Sequence, residues 1–440
     1  MRTLLWVKLL GLIIAVGLIF GGGQQAPASS KNKNSERRGP LVIRPAQSGV
    51  SKPAWWVAQH SKELVPPMSE AERKLHEELM RILPLPVPRE KLRPNYKPSS
   101  TMLPTRVPLA LSPQSVITAP PPGGSFEGLN NYDNILGGIG LQFVPPDVNG
   151  DVGPNHYVEF VNTVMRVYDK NGNPLSAPFP LSALFASAGF PGPCATNNDG
   201  DPIVLYDQFA DRWFLSQFYI QDALNNTGPS HHCIAISQTG DPLGSYYLYD
   251  FVWPDFPAGS GHIFMDYPHH AIWPNAYWMT AHQFGVGAAP CGYCAQAVVA
   301  LERNKMLAGD PTAQMVYFGV MNPPPSGVDL TTVAGVLAAD IEGPTPIPDI
   351  AGQPAPGIFL EWIADEYGAP TDAINVYKFI VDWANPAASN FVLATTIPVA
   401  PFNPLNPPYE NDIPQPGVST LSYLDSISDR FMHRVVIRNM

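Results

Sequence analysis

The sequence predicts an all-β, β-propeller-like fold of about four blades plus a partial one, preceded by a proline-rich N-terminal arm that contains one helix. Two repeated phrases lead to this prediction. A D-x-x-x-D-R-aromatic phrase occurs at 207–213 and again at 425–431. A Gly-Asp-Pro or Asn-Pro turn at Pro242, Pro311 and Pro386 precedes an aromatic strand each time, at spacings of 69 and 75 residues. Because short alternating apolar runs lie between these turns, the repetition is typical of propeller blades. In the D-x-x-x-D-R phrase, we expect the Arg to pair with the Asp beside the hairpin and the aromatic residue to pack between blades.

Residues 1–28 have the features of a secretory signal peptide. Arg2 and Lys8 supply positive charge, and 9–20 is an uncharged apolar run of 12 residues, within the roughly 7–15 of a signal core and short for a membrane span. Ala26-Pro27-Ala28 offers a small-residue cleavage site. We therefore expect a secreted or cell-envelope protein that contacts a membrane only through this leader, if the leader stays uncleaved as a signal anchor.

Residues 29–124 form a basic, proline-rich arm. Within it, the pattern predicts one helix over 69–83, with Ser69 as N-cap, Glu72 completing a capping box and Pro84 ending it. One interpretation of the arm is a spacer between the envelope and the main domain. The other is a pro-segment or strap that packs on the main domain, where the pair Trp55-Trp56 is a candidate contact.

Charge divides the chain into a basic leader and an acidic body. Residues 1–120 carry 17 Lys or Arg and 7 Asp or Glu, whereas 121–440 carry 9 and 30. A nucleic-acid groove needs clustered Lys and Arg, so we expect no nucleic-acid partner. An acidic body suits an exported, cation-rich setting.

The propeller-like domain is predicted over 125–440. One unit of four antiparallel strands, about one blade, lies at 203–206, 213–218, 233–237 and 245–251. The next unit lies at 271–273, 277–280, 297–301 and 315–318. A third has strands at 358–362, 373–383 and 390–396, with its second strand unplaced, and an earlier unit lies within 141–190. The last hairpin opens at Leu421 with no third or fourth strand after it, so the domain is expected to be incomplete at the C-terminus.

Four cysteines are expected to be oxidised in an exported protein. Cys194 and Cys233 flank one predicted hairpin, so we predict that they pair. Cys291 and Cys294 form a CxxC motif, for which a local disulfide is the favoured interpretation. Metal binding, redox activity and free thiols are the alternatives for this motif.

A possible calcium site is predicted at Asp147, Asn149 and Asp151. Their oxygen side chains stand at positions 1, 3 and 5 of a Gly-containing run, the spacing with which a tight loop wraps a hard cation. A plain Asx turn is the alternative, because Asp and Asn side chains also bond nearby backbone. The stretch 197–201 is a second oxygen-rich loop, which either binds a cation or caps a turn.

No spacing selects catalytic residues, so the catalytic residues are unknown and a non-enzymatic role is favoured. Glycoside hydrolysis needs two facing carboxyl groups. Carboxylates that qualify by type alone are Asp199, Asp201, Asp266, Glu361, Asp365 and Glu366. Tandem histidines occur at 231–232 and 269–270, and on a strand only one of each pair can face a given site.

Several tracts resemble a family of largely uncharacterised exported bacterial proteins with propeller-like repeats. They are 145–157 (PPDVNGDVGPNHY), 192–194 (GPC), 197–204 (NNDGDPIV), 210–213 (ADRW) and 241–247 (DPLGSYY). The resemblance spans about 125–440, implies a secreted or surface protein and implies no catalytic residue.

These observations favour an exported β-propeller-like binding module of unknown ligand, with a glycan or a cell-surface protein as partner. Two alternatives stay open. One is a glycoside-acting or related hydrolase with its site at the central opening. The other is a structural component of the cell envelope.

Overall fold

The computed structural model describes residues 39–67, Glu70, Lys74, 125–343 (except 139, 141, 142, 144 and 145), 355–402, Phe431 and 434–438. The predicted signal peptide lies outside the described residues. So do most of the predicted helix 69–83 and the second D-x-x-x-D-R phrase, apart from Phe431. Within that helix, Glu70 and Lys74 are helical, and Lys74 Nζ lies 3.4 Å from Glu70 Oε1.

Four antiparallel sheets follow one another along the chain, as expected for successive propeller blades, and they are preceded by an arm. The arm consists of β1 (Leu41–Ile43), β2 (Gln47–Val50) and α1 (Ala54–Leu64). Blade 1 consists of β3 (Val148–Val152), β4 (His156–Val161), β5 (Val164–Asp169) and β6 (Phe179–Pro180). Blade 2 consists of β7 (Ile203–Asp207), β8 (Arg212–Tyr219), β9 (His231–Ser237) and β10 (Tyr246–Val252).

The remaining elements complete two more blades. Blade 3 consists of β11 (His262–Trp273), β12 (Ala276–Val286), β13 (Tyr293–Leu301) and β14 (Met315–Phe318). Blade 4 consists of β15 (Leu337–Ile341), β16 (Gly357–Ile363), β17 (Ala373–Ile380) and β18 (Asn390–Pro398), and β19 (Val435–Ile437) follows. Short helices lie between strands: α2 (Asp133–Leu136), α3 (Ser182–Ser187), α4 (Pro193–Thr196), α5 (Gln221–Leu224), α6 (Arg303–Leu307), and the 3-10 turns Asp365–Tyr367 and Pro386–Ala388.

The all-β, propeller-like prediction is confirmed, and one strand assignment needs correction. The strand missing from the third predicted unit is the first strand of blade 4, β15, and not its second. All five residues of β15 are buried. A strand covered on both faces shows no alternation of apolar and polar residues, which removes the signal that identified the other strands.

Apolar side chains between successive blades make the core. One cluster lies between blades 2 and 3 and includes Trp253 and Tyr249. A second joins the arm helix α1 and blade 1 to blade 2, and a third joins blades 3 and 4 around Trp278. Gly357 opens β16 because a Cβ there would lie 2.5 Å from the Trp278 ring. Burial of aromatic faces between sheets therefore holds neighbouring blades together.

The D-x-x-x-D-R turn of blade 2 serves this contact between blades, in a way that differs from our interpretation. We expected Arg212 to pair with the aspartate beside its own hairpin, and this is wrong. Arg303 binds Asp207 instead, with Nε 2.7 Å from Oδ2 and Nη2 3.0 Å from Oδ1, and Tyr277 OH donates to the same carboxylate at 2.8 Å. Arg212 donates through Nη1 to carbonyls of its own turn. Trp213 is fully buried between blades 1 and 2, as expected for the aromatic position.

The arm packs along the rim of the propeller. β1 pairs antiparallel with β14 of blade 3, and β2 pairs antiparallel with β10 of blade 2. Helix α1 then packs against blade 1, where Val57 is fully buried and Trp56 packs on the cluster while Trp55 is half exposed. The strap interpretation is thus confirmed for the described part of the arm.

The first strands of the four blades lie side by side around the axis. Between β3 and β7, side chains of one inner strand accept hydrogen bonds from the backbone of the other. Asn149 Oδ1 accepts from Val204 N at 2.7 Å, and Asp151 Oδ2 accepts from Tyr206 N at 2.9 Å. These bonds join blade 1 to blade 2 at the axis.

The segment 434–438 lies at the axis between blade 4 and blade 1. β19 pairs parallel with β15. Arg434 Nη1 lies 3.4 Å from Asp340 of blade 4 and 3.7 Å from Asp151 of blade 1. The expectation that the propeller-like domain is incomplete at the C-terminus stays a prediction.

Candidate functional site

Three aspartates of three consecutive blades converge at one end of the inner strands. Asp147 directly precedes β3, Asp201 precedes β7 by one residue, and Asp266 lies in β11 beside a register shift. Inner strands of neighbouring blades run in the same direction around the axis, so residues at their starts come together. The three aspartates make up the axial carboxylate cluster, which is the candidate site.

The backbone at this cluster takes an uncommon conformation. Asp147, Asp201 and Tyr267 have φ values of 41°, 47° and 53°. Asp tolerates the left-handed region better than most residues, whereas a bulky residue such as Tyr does so rarely. Gly200, just before Asp201, is required because a Cβ there would lie 2.4 Å from Asn162 Oδ1. A positive φ therefore recurs at Asp147 and Asp201 and directly after Asp266.

The carboxyl groups of Asp147 and Asp201 share a hydrogen bond. Burial, together with the charge of Asp266, raises the pKa of Asp147 to about 6. Burial, followed by the charges of Asp266 and Asp147, raises the pKa of Asp201 well above its usual range. Two facing carboxyl groups cannot both ionise cheaply, so this pair retains a proton more readily than two separate aspartates would. The three residues are intermediate in exposure, and the carboxyl group of Asp201 is the more deeply buried of the pair it forms with Asp147.

Aromatic and imidazole rings border the cluster. The Tyr267 ring lies 4.2 Å from the His269 ring and 5.4 Å from the His282 ring, measured between centroids. The Tyr267 hydroxyl donates to the Phe431 carbonyl at 3.2 Å, and the Tyr267 backbone bonds the Asp201 carboxyl group. The Tyr267 ring, which is stacked with His282 and tilted by 59° against His269, supplies a partly apolar border next to the carboxyl groups.

The three residues predicted to bind calcium do not gather in one loop. They run along β3 and its first flanking residue, on one face, where Asn149 and Asp151 bond the backbone of β7. Asp147 and Asp151 are four residues apart, which corresponds to about 13 Å along an extended strand. Asp147 therefore belongs to the axial cluster, and the other two serve the contact between blades.

The residues of the second oxygen-rich loop, 197–201, also have separate roles: two bond other segments, and one belongs to the axial carboxylate cluster. Asn198 exchanges hydrogen bonds with Ser182, and Asp199 accepts from Ile220 N and from Gln221 N, at the start of α5. Its turn-capping interpretation is confirmed for these two residues. Asp201, the last residue of the loop, is the one that reaches Asp147.

No metal site is evident in the part of the chain that the structure describes, where no group of three His, Cys, Asp or Glu side chains is arranged to hold an ion. Calcium binding stays a prediction.

The other carboxylates that qualified by type lie elsewhere. Glu361 accepts from Ala334 N, Asn375 Nδ2 and Tyr377 OH within blade 4. Asp365 and Glu366 belong to the 3-10 turn after β16.

The tandem histidines separate to opposite faces, as a strand requires. His231 Nδ1 lies 2.7 Å from Asp250 Oδ1. His232 points into the contact between blades 2 and 3, where its Nε2 lies 3.0 Å from His270 Nε2. Burial lowers the pKa of His232 to about 3 and that of His270 well below its usual value. This histidine pair is neutral and belongs to the core.

Both predicted cysteine pairings are present. Cys194 of α4 and Cys233 of β9 form a disulfide with an S–S distance of 1.98 Å. Cys291 and Cys294 form the local disulfide, at 2.01 Å. The cysteine pairs support folding in an oxidising, extracellular compartment. Among the described residues, no helix is long and apolar enough to cross a membrane.

A cavity of about 310 Å³ lies at the opposite end of the inner strands. Its polar lining includes Asp151, Asp340, Glu342 and Arg434. Burial raises the pKa of Asp340 to about 6, and Arg434 opposes this. Asp340 also accepts from Ile272 N at 2.7 Å. These groups hold blades together, so the cavity is a weaker candidate than the axial carboxylate cluster.

Our sequence reasoning did not identify the axial cluster, although it named each of its members. The signal that was available is positional. Asp147 follows two prolines, Asp201 precedes Pro202, and Asp266 precedes Tyr267-Pro268. Each of these phrases lies at or within an inner strand, and aligning them would have predicted that the aspartates converge.

Comparisons with known proteins give little further information. No family model matches the sequence, and no match is found among curated proteins. The resemblance to exported propeller-like proteins therefore stays a prediction. Among solved structures, the chain is similar to an exo-1,5-alpha-L-arabinanase from a bovine ruminal metagenomic library, with 10% identity and a TM-score of 0.20. That match covers 57% of this chain and 96% of the arabinanase chain.

Proposed function

We propose that the protein is an exported β-propeller module that binds a polyhydroxylated ligand, of the glycan class, at the axial carboxylate cluster. The observation that carries the proposal is the convergence of Asp147, Asp201 and Asp266 near the axis, where burial and their charges raise the pKa values of Asp147 and Asp201. Ionisable groups with displaced pKa values concentrate at functional sites. Polar groups converging at the mouth of a propeller channel are the arrangement expected of a ligand site.

The chemistry of the cluster supports a ligand rich in hydroxyl groups. A carboxylate accepts hydrogen bonds from hydroxyls, and a protonated carboxyl also donates one. The nearby rings of Tyr267 and His269 provide a face on which a sugar ring can pack. The acidic charge of 121–440 opposes a nucleic-acid ligand.

Glycoside hydrolysis at the same cluster is a second candidate, favoured by the proton shared between Asp147 and Asp201. Hydrolysis needs one carboxyl group that donates a proton to the leaving oxygen and a second that is ionised. A carboxyl group kept protonated in this pair supplies the first of these. In this candidate, Asp201 is the general acid and Asp266 is the facing carboxylate.

Carboxamide variants separate the two candidates. The variants are D147N, D201N and D266N, with E63Q on the exposed face of α1 as the matched control. Binding to an immobilised panel of plant and bacterial polysaccharides and release of reducing sugar are measured together. Binding by the native protein without sugar release, lost in D266N and kept in E63Q, supports the binding module.

The opposite results are equally informative. Sugar release by the native protein that D201N abolishes, with binding kept, supports the hydrolase. Binding that is equal in all four variants contradicts both candidates, because it places the ligand away from the axis.

Calcium is proposed as a possible cofactor of this end of the propeller. Asn149 and Asp151 bond the backbone of the neighbouring inner strand, so Asp147 is the one residue of the predicted set that lies at the axial cluster. The raised pKa of Asp147 supports the proposal, since a hard cation would favour its ionised form.

Export through residues 1–28 and retention at the cell surface belong to the same proposal. Disulfides indicate the oxidising compartment but not the leader. Recovery of the mature chain from the medium or from the envelope, followed by N-terminal sequencing, tests cleavage near Ala28. Carbonate extraction of the envelope fraction tests the structural role as an envelope component.

A further inference from the structure

The outermost strands of blades 2, 3 and 4 differ in whether another described strand pairs with their outer edge. In blades 2 and 3 the fourth strand is followed by an added arm strand, β2 on β10 and β1 on β14. In blade 4, no described strand pairs with the outer edge of β18. An open edge is a template for another strand, because its backbone N–H and C=O groups point outward unpaired.

The open edge carries few of the features that discourage pairing: a single bulge at Ala394 interrupts its register with β17. β18 reads NFVLATTIP, without a charged residue and with its only proline at the end. Leu393 and Ile397 are 48% and 49% exposed. Edges that remain solvent-exposed are usually protected by charges, bulges or internal proline. The composition of β18 therefore indicates a strand that is covered.

The arm reaches the blades in reverse order as one follows it toward its N-terminus. Helix α1 lies on blade 1, β2 on blade 2 and β1 on blade 3. The next blade in this order is blade 4. We propose that residues 29–38, directly upstream of Gly39, add an antiparallel strand to the outer edge of β18.

Hydrogen bonds of Gly39 and of the loop it contacts place Gly39 near the N-terminal end of β18, the end that antiparallel pairing requires. Gly39 N donates to the Pro323 carbonyl at 3.1 Å. Three residues later in the same loop, Ser326 bonds Asn390 and Phe391, the first two residues of β18. An antiparallel addition requires the C-terminal end of the new strand to lie at the start of β18. The described chain begins beside that end.

Length and charge fit this occupant. The ten residues 29–38 span up to about 33 Å when extended, and the nine residues of β18 span about 30 Å. Residues 29–38 carry four Lys or Arg and one Glu, whereas 355–402 carry five Asp or Glu and one Lys. Opposite net charges favour this pairing over pairing with a second copy of blade 4.

Hydrogen exchange of the peptide 390–398, in the protein recovered after export, tests the proposal. The test variant is N34P/S35P, which removes two successive backbone donors and leaves the net charge unchanged. Its matched control is N34A/S35A. We expect slow exchange in the native protein and in the control, and at least ~tenfold faster exchange in the proline variant. Peptides from β10 and β14 serve as internal references and should not change.

Light scattering on the same samples identifies the competing occupant. Fast exchange of 390–398 in the native protein would show that the edge is open and would overturn the proposal. Slow exchange that appears only at concentrations where a dimer forms would assign the edge to a second copy, which also overturns it. Slow exchange in the monomer that survives N34P/S35P would show that another segment covers β18.

Discussion

Removal of the disulfide between Cys194 and Cys233 should destabilise the protein about twice as much as removal of the CxxC disulfide. The first bond joins residues 39 apart in sequence, and the second joins residues 3 apart. A cross-link restricts the unfolded chain more when it closes a longer loop. The chain-entropy relation gives about 4 kcal/mol for the long loop and about 2 kcal/mol for the short one near 25 °C.

Packing adds to this difference in the same direction. Cys194 and Cys233 are fully buried in the cluster that joins blade 1 to blade 2. Replacing buried sulfur by a methyl group leaves a small void, which costs further stability. The CxxC lies at the start of β13, where Cys291 is partly exposed. Its removal should therefore cost little more than the entropy of its short loop.

Urea unfolding of C194A/C233A and C291A/C294A, followed by tryptophan fluorescence, measures both effects. Reversibility and equal m-values are checked first, so that midpoints can be compared directly. The expected midpoint shift of C194A/C233A is about twice that of C291A/C294A. Reduced native protein should show about the sum of the two shifts, since the bonds are in different blades. Equal shifts, or a larger shift for the CxxC variant, would refute the reasoning.

Three other predictions concern the core and the metal. Burial lowers the pKa of His232 to about 3, so the unfolded chain binds more protons than the folded chain below about pH 6.5. The stability present above pH 6.5 should therefore fall as the pH is lowered toward 3. A H232L/H270L variant should show a shallower fall in urea midpoint over the same range. R303M should lower the free energy of unfolding by about 3–5 kcal/mol, because it leaves buried Asp207 unpaired. R212M loses only bonds to its own turn and should lower it by about 1 kcal/mol. Similar losses for the two variants in urea unfolding would contradict the pairing seen in the structure. Calcium should raise the melting temperature relative to EDTA, and identical melting curves would remove the metal proposal.

Sequence patterns predicted the blades wherever strands alternate and end in recognisable turns. Blades 2 and 3 follow this rule, with Asp211 in the left-handed conformation at the blade 2 hairpin. Sequence patterns failed where burial is complete, as in β15, because a strand covered on both faces has no alternation of apolar and polar residues. They also failed for β1 and β2, which have three and four residues. Strands this short exist only because an outer strand is there to pair with them.

The candidate site was only partly predictable for a related reason. Asp147, Asn149 and Asp151 have the spacing of a cation-binding loop, and sequence spacing cannot distinguish a loop from a strand of the same residues. In an extended strand, the three side chains lie along one face instead of around one point. Asp201 and Asp266, which meet Asp147, are 54 and 119 residues away in sequence. Their meeting depends on the register of blades, which no local pattern records.

Acidic and amide side chains on the inner strands have two roles: some accept hydrogen bonds from the backbone of a neighbouring blade, and others form the axial carboxylate cluster. Stability measurements can distinguish the two roles. An inner strand has an open edge toward its neighbour, and its N–H groups need acceptors once the blades pack. Asn149 provides one for Val204 N at 2.7 Å. N149A should leave that donor unsatisfied and cost about 1–3 kcal/mol in urea unfolding.

Asp201 should behave in the opposite way. Folding places it beside Asp147 and Asp266 and raises its pKa well above the usual range, so its ionised form is disfavoured in the folded state. Because the unfolded state keeps Asp201 ionised at pH 7, the native carboxyl group lowers stability there. D201N removes this cost and should raise the melting temperature at pH 7, with a smaller rise at pH 3, where the unfolded carboxyl is also largely protonated. A binding or catalytic site retained at the expense of stability explains such a gain, whereas a fall in melting temperature would mark Asp201 as one more inter-blade acceptor like Asn149.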